Sequence, residues 1–366
     1  MKKIDAINSV VMENPDSVFG YFAWPSVTRL PDGRLAASSS GFRISHICPF
    51  GKAVISYSSD EGNTWSVPAP VIDTPLDDRD AGVTTLADKR VVFTSFNNRV
   101  SMQRYHNNRS NKKLQNLVSA YLDSVDAESA EEKYLGSTYK VSHDGGVTFG
   151  ELRRSPVTAP HGVCPLPSGG ALYVGRIFDT EKEDSLACYR LCDDDSLEYL
   201  SHIENILIDG TPALSCEPHA IALTDKDILV QIRIHHSSVD AFTTYQCESS
   251  DGGLTWTKPH SIGLDHGSPP HIIKHSSGVL ASVYGYRRPP FGQRVMFSID
   301  GGKNWDKDYV LRDDGPSGDL GYPCSIELSD GKILTVYYQQ KEEGGYCVIM
   351  QSIWEIPEEI IKKIKE

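Results

Sequence analysis

The chain has 366 residues, 39% of them hydrophobic and 23% charged, and a formal net charge of −13. That much apolar content supports a buried core and argues against global disorder. The acidic balance argues against non-specific nucleic-acid binding, and it means that an anionic ligand must be met by a local cluster of arginines or histidines.

No apolar run follows Lys2-Lys3, so the expectation is a cytoplasmic protein without a signal peptide. No stretch approaches the ~18 apolar residues of a membrane-crossing helix. The eight cysteines (Cys48, Cys164, Cys188, Cys192, Cys216, Cys247, Cys324 and Cys347) form no CxxC pair and are read as free, mostly buried thiols. Cys188 and Cys192 have no second ligand pair, so neither a metal nor any other cofactor is expected. Oligomeric state is not legible.

Two interleaved repeats run along the chain. One is a tight turn followed by an apolar strand, with copies starting at Leu30, Leu86, Leu166, Leu223, Lys274 and Leu328. The other is Ser-x-Asp-x-Gly-x-Thr-Trp, at Ser58–Trp65, Ser142–Phe149 (Phe149 replacing Trp), Ser249–Trp256 and Ser298–Trp305 (Asn304 replacing Thr). In each of these the Asp and Gly suit a hairpin turn, the Asp bonding nearby amides and the aromatic packing back into the sheet. The turn copies lie 51 to 80 residues apart, room for four short strands each. Six copies therefore predict an all-β, six-bladed β-propeller over residues 1–366, read as one domain. The longest gap holds a polar stretch, 107–132, where Leu114, Leu117, Tyr121 and Val125 have helical spacing and predict an inserted helix or lid. The tail from Ile356 to Glu366 predicts a short terminal helix.

In a propeller the innermost strand of each blade lines the central channel, and the residues just before it gather at one mouth. Six positions before each turn stand Trp24, Asp80, Pro160, Glu217, Ser268 and Tyr322. The next column holds Pro25, Ala81, His161, Pro218, Pro269 and Pro323, with His219 and His271 close by; ten positions beyond the turn come Ser40, Phe96, Arg176, Arg233, Tyr284 and Tyr338. Titratable groups from separate blades thus converge: Asp80, His161, Arg176, Glu217, His219, Arg233, His271 and Tyr322. The bland readings are that the histidines bond only water or backbone, that Arg176 pairs with Asp179, and that Arg287-Arg288 is solvated surface.

The Ser-x-Asp-x-Gly-x-Thr-Trp repeat is the Asp box, and through it the chain resembles the sialidase superfamily. Cys216-Glu217-Pro218-His219 through Arg233 is similar to the segment that supplies that family's glutamate and second arginine. Gly321-Tyr322-Pro323-Cys324 is similar to the segment of its nucleophilic tyrosine. The resemblance implies that Glu217 takes the phenolic proton of Tyr322, which attacks the anomeric carbon, and that Arg233 and Arg294 share a pocket with Tyr322 and bind an acidic group. Two positions depart from the family. Phe22-Ala23-Trp24-Pro25 lacks the first arginine of the carboxylate-binding triad, for which Arg43 compensates only if it projects into the site; Arg287, close after a blade strand, is a separate candidate for substrate binding. The acid/base position is occupied by His46; Asp80, with a pKa raised by burial or by Asp78, is the rival proton donor. The expected partner is a glycan or oligosaccharide, with no nucleic acid and no membrane. The expected function is an exo-glycosidase acting on a terminal acidic, sialic-acid-like sugar. The alternatives are a hydrolase or lyase of different glycan specificity and a non-catalytic glycan-binding propeller.

Overall fold

The structure, a computed structural model, describes residues 1–178, 186–237 and 240–365. Six antiparallel sheets form the blades of a propeller. Blade one is Tyr21–Arg29, Leu35–Arg43, Lys52–Ser58 and Ala69–Ile72; blade two is Arg79–Thr85, Val91–Phe96, Ser137–Ser142 and Arg153–Ser155. Blade three has a split inner strand, Val157–Thr158 and Cys164–Pro165, followed by Ala171–Ile177, Leu186–Leu191 and Leu197–Ile203. Blade four is Leu214–Ala222, Ile228–His236, Ala241–Ser249 and His260–Ser261; blade five is Pro270–Lys274, Leu280–Tyr286, Gly292–Ser298 and Asp306–Val310. Blade six has Gly321–Glu327, Ile333–Gln340 and Cys347–Trp354, and its outer strand is Ala6–Met12 from the other end of the chain. Lys2–Lys3 adds a parallel strand to blade five. The strand count per blade therefore differs from a uniform four, because the amino-terminal segment is shared between two blades and closes the ring.

The repeated turn joins the first and second strands of every blade through one recurring bond. The Leu30, Leu86, Leu166, Leu223 and Leu328 amides each donate to the carbonyl four residues on, at 2.7–3.1 Å. In blade five the donor is His275, bonding Val279 at 2.9 Å. The fifth copy thus starts at His275, one residue later than the sequence alignment put it, and Pro269 rather than Ser268 occupies the first mouth column.

The Asp boxes cap surface hairpins. Asp251 accepts hydrogen bonds from Ser249 Oγ (2.8 Å), the Leu254 and Thr255 amides (3.1 and 2.9 Å) and Thr255 Oγ1 (2.6 Å). Asp60, Asp144 and Asp300 repeat the pattern. The three tryptophans, expected to pack back into the sheet, latch onto the preceding blade. Trp65 Nε1 donates to Gln351 of blade six, Trp256 to Ser201 of blade three and Trp305 to Gln246 of blade four, each at 2.9 Å. Phe149 packs edge-on to Phe93 of its own blade, with ring centroids 5.6 Å apart, in the cluster between blades one and two.

The helical insertion is longer than predicted, comprising Val100–Tyr105, Lys112–Ser124 and Ala127–Tyr134. It buries Val118 and Leu122 against Ile44, Cys48 and Leu76 of the loops at the mouth. The terminal helix is Glu358–Lys365. No described helix is long and apolar enough to cross a membrane.

Hydrogen bonds, chiefly from Thr255, hold the Asp251 carboxyl at about 2 against an ordinary 3.8. A depressed native pKa contributes stability above the unfolded value, lost as pH falls toward the native one. Asp251→Ala should lower the urea midpoint at pH 7, and the gap to wild type should narrow as pH is lowered from 4 toward about 2.

Candidate active site

The inner strands are bent where they reach the channel mouth. The register of blades one, two, four and six slips on either side of the first mouth column. Trp24, Asp80, Glu217 and Tyr322 have φ of 54°, 44°, 48° and 50°. A left-handed conformation costs a residue with a Cβ about 1–2 kcal/mol, and such strain gathers where a side chain must be aimed. Here it turns four side chains of one column into the mouth. The same column in blades three and five holds Pro160 and Pro269, whose rings forbid positive φ.

At the centre, Tyr322 Oη donates to Glu217 Oε1 at 2.5 Å, and Arg233 Nη1 donates to both Glu217 oxygens at 2.7 and 2.6 Å and to Tyr322 Oη at 3.3 Å. Burial alone would raise the Glu217 pKa, but the Arg233 charge and the hydrogen bonds from Arg233 and Tyr322 outweigh it and keep the carboxyl ionised. Burial, then the adjacent Glu217 charge, pushes Tyr322 well above the usual phenol range. Beside this trio lies a cavity of about 480 Å³ lined by Asp80, Phe96, Pro160, Arg176, Glu217 and Arg233, among others. Asp80 is 7% exposed and receives no side-chain hydrogen bond among the described residues. Burial raises its pKa to about 7, with the Arg79 charge opposing and the Glu217 charge reinforcing. Asp78, expected to be that reinforcing carboxylate, is occupied by Thr74 and Asn97.

A second set of groups lines the other side of the mouth. Arg287 donates to the Leu320 carbonyl (3.0 Å) and Tyr338 Oη (3.4 Å), and its guanidinium lies 5.8 Å from the Tyr322 ring and 5.4 Å from Phe242; Arg233 lies 4.8 Å from that same Phe242 ring. Arg79 stacks on the buried Trp24 indole at 4.0 Å and donates to the His46 carbonyl at 2.6 Å. His46 stands at the rim with its side chain 50% exposed, edge-on to Trp24 at 5.0 Å.

A family model described as a BNR repeat-like domain matches residues 117–335. The chain belongs to the BNR repeat-like family. Its fold is that of the sialidase superfamily. A protein of unknown function from Dyadobacter fermentans is 21% identical with a TM-score of 0.75, over 97% of this chain and 99% of that one. The NanB sialidase from Streptococcus pneumoniae is 15% identical with a TM-score of 0.65, over 95% of this chain and 70% of that one. The intramolecular trans-sialidase from Ruminococcus gnavus is 14% identical with a TM-score of 0.63, over 95% and 97%. Among curated protein sequences none matches.

In this BNR repeat-like propeller several residues expected at the site lie elsewhere. Arg294 is 1% exposed and donates to the backbone carbonyls of Gln293, Arg312 and Pro290, which fastens the edge of blade five. Arg287 takes the place beside Tyr322 instead. Arg43 is fully buried: it pairs with Asp77 at 2.7 Å and donates to Ser40 Oγ and to the Ser45 and His46 carbonyls, so it supports the rim loop and does not replace the missing arginine.

His161, His219 and His271 line a different cavity of about 310 Å³, toward the turn ends of the inner strands. His161 follows its column residue by one position and His219 and His271 follow theirs by two, so all three stand farther along the inner strands than the mouth column. The Nδ1 atoms of His219 and His271 accept from the Ile272 and Ser325 amides at 3.0 and 3.2 Å. Burial lowers the pKa of all three, and they stand as neutral groups of the channel wall. Asp179, the partner considered for Arg176, lies outside the described residues.

Arg79, Asp319, Tyr21 and Tyr338 also stand at the mouth. Arg79 directly precedes a column residue and Asp319 lies three before Tyr322. Reading one to three residues ahead of the column was the signal that would have found Arg79, Tyr21 and Asp319; Tyr338 stands in the downstream column already read from the repeat.

Glu217 and Arg233 are a buried pair, with side chains 18% and 16% exposed. Removing one partner strands the other charge. Glu217→Ala should cost about 3 kcal/mol by urea denaturation, and Glu217→Ala with Arg233→Met should cost less than the two single changes together.

Proposed function

We propose that the chain is a sialidase-like exo-glycosidase that releases a terminal acidic sugar through attack by Tyr322. The observation that carries this reading is the 2.5 Å hydrogen bond from Tyr322 to an ionised Glu217, held by Arg233 within reach of both groups. A phenol attacks poorly at neutral pH unless a base takes its proton as the bond forms. Glu217 is placed for that, and Arg233 Nη1 stabilises the phenolate oxygen in the transition state. A phenolic nucleophile also avoids the repulsion that a carboxylate would exert on an acidic sugar.

Arg233 and Arg287 converge over Phe242 and Tyr322, with Arg79 across the mouth; these three are the groups for the substrate's carboxylate, in place of the family's set. Bidentate guanidinium contacts suit that group. Asp80 is the proton donor to the leaving group. Its carboxyl opens on the cavity and retains its proton near neutral pH. Arg176, on the same cavity wall, contacts the sugar or the leaving group.

The test is a panel of aryl glycosides, sialosides first. Tyr322→Phe should cut turnover by at least about 10³-fold while leaving the melting temperature nearly unchanged; near-wild-type turnover would end the nucleophile assignment. Asp80→Asn should slow substrates with poor leaving groups by about 10²–10⁴-fold and those with good ones far less. Because the acid must be protonated, wild-type activity should fall as pH rises through about 7, and Asp80→Asn should remove that limb. Equal losses on both leaving groups would exclude Asp80.

A further inference from the structure

Arg233 stands in the second strand of blade four and Arg287 directly after the second strand of blade five, so two like charges reach the mouth from different blades. Each guanidinium is fastened along one edge. Arg233 uses Nη1 on Glu217 and Tyr322, and Arg287 uses Nε and Nη2 on the Leu320 carbonyl and Tyr338 Oη. Arg233 Nη2 and Arg287 Nη1 bond no acceptor among the described residues, and Arg233 Nε is buried without one.

What the two arginines share is the ring of Phe242, whose centroid lies 4.8 Å from the Arg233 guanidinium carbon and 5.4 Å from that of Arg287. The face of an aromatic ring is negative and attracts a guanidinium within ~6 Å. Unlike a carboxylate, the ring takes up none of the strong N–H donors. It therefore draws two cations together against their repulsion and leaves their open edges to a ligand. Arg43 and Arg294 are held the other way, the first by Asp77 and the second by three backbone carbonyls.

Phe242 is built into the joint between blades four and five. It pairs with His235 in the blade-four sheet, and its carbonyl accepts from the Gly267 amide at 2.9 Å, in the loop that leads into blade five. Thr244 Oγ1 donates to the Gly267 carbonyl at 3.0 Å. His266 of that loop lies against the Phe242 ring, with centroids 5.2 Å apart and planes inclined by 37°, and meets Tyr286 edge-on at 5.3 Å. Both His266 nitrogens are buried without a hydrogen-bond partner among the described residues, so the imidazole serves as packing. Burial, the largest effect, lowers its pKa to about 4, and no third positive charge stands beside the pair at pH 7. Arg294 lies 4.6 Å from the Tyr286 ring. The arginine expected in the pocket is thus tied into the layers behind it.

We propose that Phe242 is a positioning residue that fixes the planes and the separation of Arg233 and Arg287, so that one substrate carboxylate meets both. The proposal rests on the reading of these arginines as groups for an acidic sugar. It makes the strength of the anion site depend on a neutral residue at the joint of two blades, one that touches neither the reacting atoms nor Glu217.

The probes are the 4-methylumbelliferyl sialoside as substrate and its methyl ester, which lacks the negative charge, as competitor. Phe242→Leu keeps an apolar side chain and removes the ring. It should raise KM for the acid about 10-fold or more and leave Ki for the ester nearly unchanged. It should change kcat by less than about threefold, because Glu217 still grips Arg233 Nη1. Incorporation of 3,5-difluorophenylalanine at position 242 keeps the shape of the ring while draining charge from its face. KM for the acid should then fall between those of wild type and Phe242→Leu, and Phe242→Tyr should stay within about twofold of wild type. If Phe242→Leu does not fold, the fluorinated chain carries the same test. In an Arg287→Met background Phe242→Leu should add less than it does alone. An unchanged KM in Phe242→Leu, an equal change for acid and ester, or no response to fluorination overturns the role of Phe242 and leaves the glycosidase reading standing. A wild-type chain that does not turn over the acid, or that binds the ester as tightly, overturns the reading of the arginine pair and this proposal with it.

Discussion

A single blade cannot bury itself. Both faces of its sheet are apolar, and each finds cover only against the next blade, so the ring must close for any blade to be stable. Apolar clusters fill the spaces between successive blades, and at the seam Val11 and Met12 pack with blades one and six. Closure depends on strand pairing between the two ends of the chain, Ala6–Met12 with Cys347–Trp354. The Asp-box aromatics reinforce the same joints from outside. Three of them reach back one blade, each with an indole N–H aimed at a polar side chain of the neighbour.

Closure also permits the strain at the mouth. Trp24, Asp80, Glu217 and Tyr322 hold left-handed backbone conformations that an isolated strand would relax, and the surrounding ladders over-determine them. The same geometry concentrates charge. Arg79, Asp80, Glu217, Arg233 and Arg287 sit where water is scarce, so each must be neutralised by a partner, a hydrogen bond or a shifted pKa. Glu217 keeps its charge because Arg233 grips both of its oxygens. Asp80 has no such grip, and burial raises its pKa to about 7. Two carboxyls on one wall thus have their pKa values pushed in opposite directions, Asp80 up to about 7 and Glu217 down.

The rim is organised differently, through contacts that cross the ring seam. Tyr21 and Asp319 are 298 residues apart in sequence and meet because blade six lies beside blade one. The helical insertion ties its own core to the loop that carries His46, so it acts as a brace for the mouth.

Sequence alone determined the architecture of this protein. The turn repeat set the number of blades, the Asp boxes set their outer hairpins, and the spacing of the repeat brought Asp80, Glu217 and Tyr322 to one height along the channel. These are local properties, since a strand and its turn are written in a dozen consecutive residues. Tertiary structure decided which arginines face the site. Arg287 follows the second strand of blade five and Arg294 lies within the third; Arg294 meets three backbone carbonyls and is consumed there, while the Arg287 guanidinium lies 5.8 Å from the Tyr322 ring. It likewise decided that the histidines one or two residues farther along the inner strands line a separate cavity, and that His46 has Tyr21 and Asp319 as partners. A repeat encodes how far along the channel a residue stands. Where a long side chain ends depends on bulges, rim loops and neighbours hundreds of residues away, and only the closed ring brings those together.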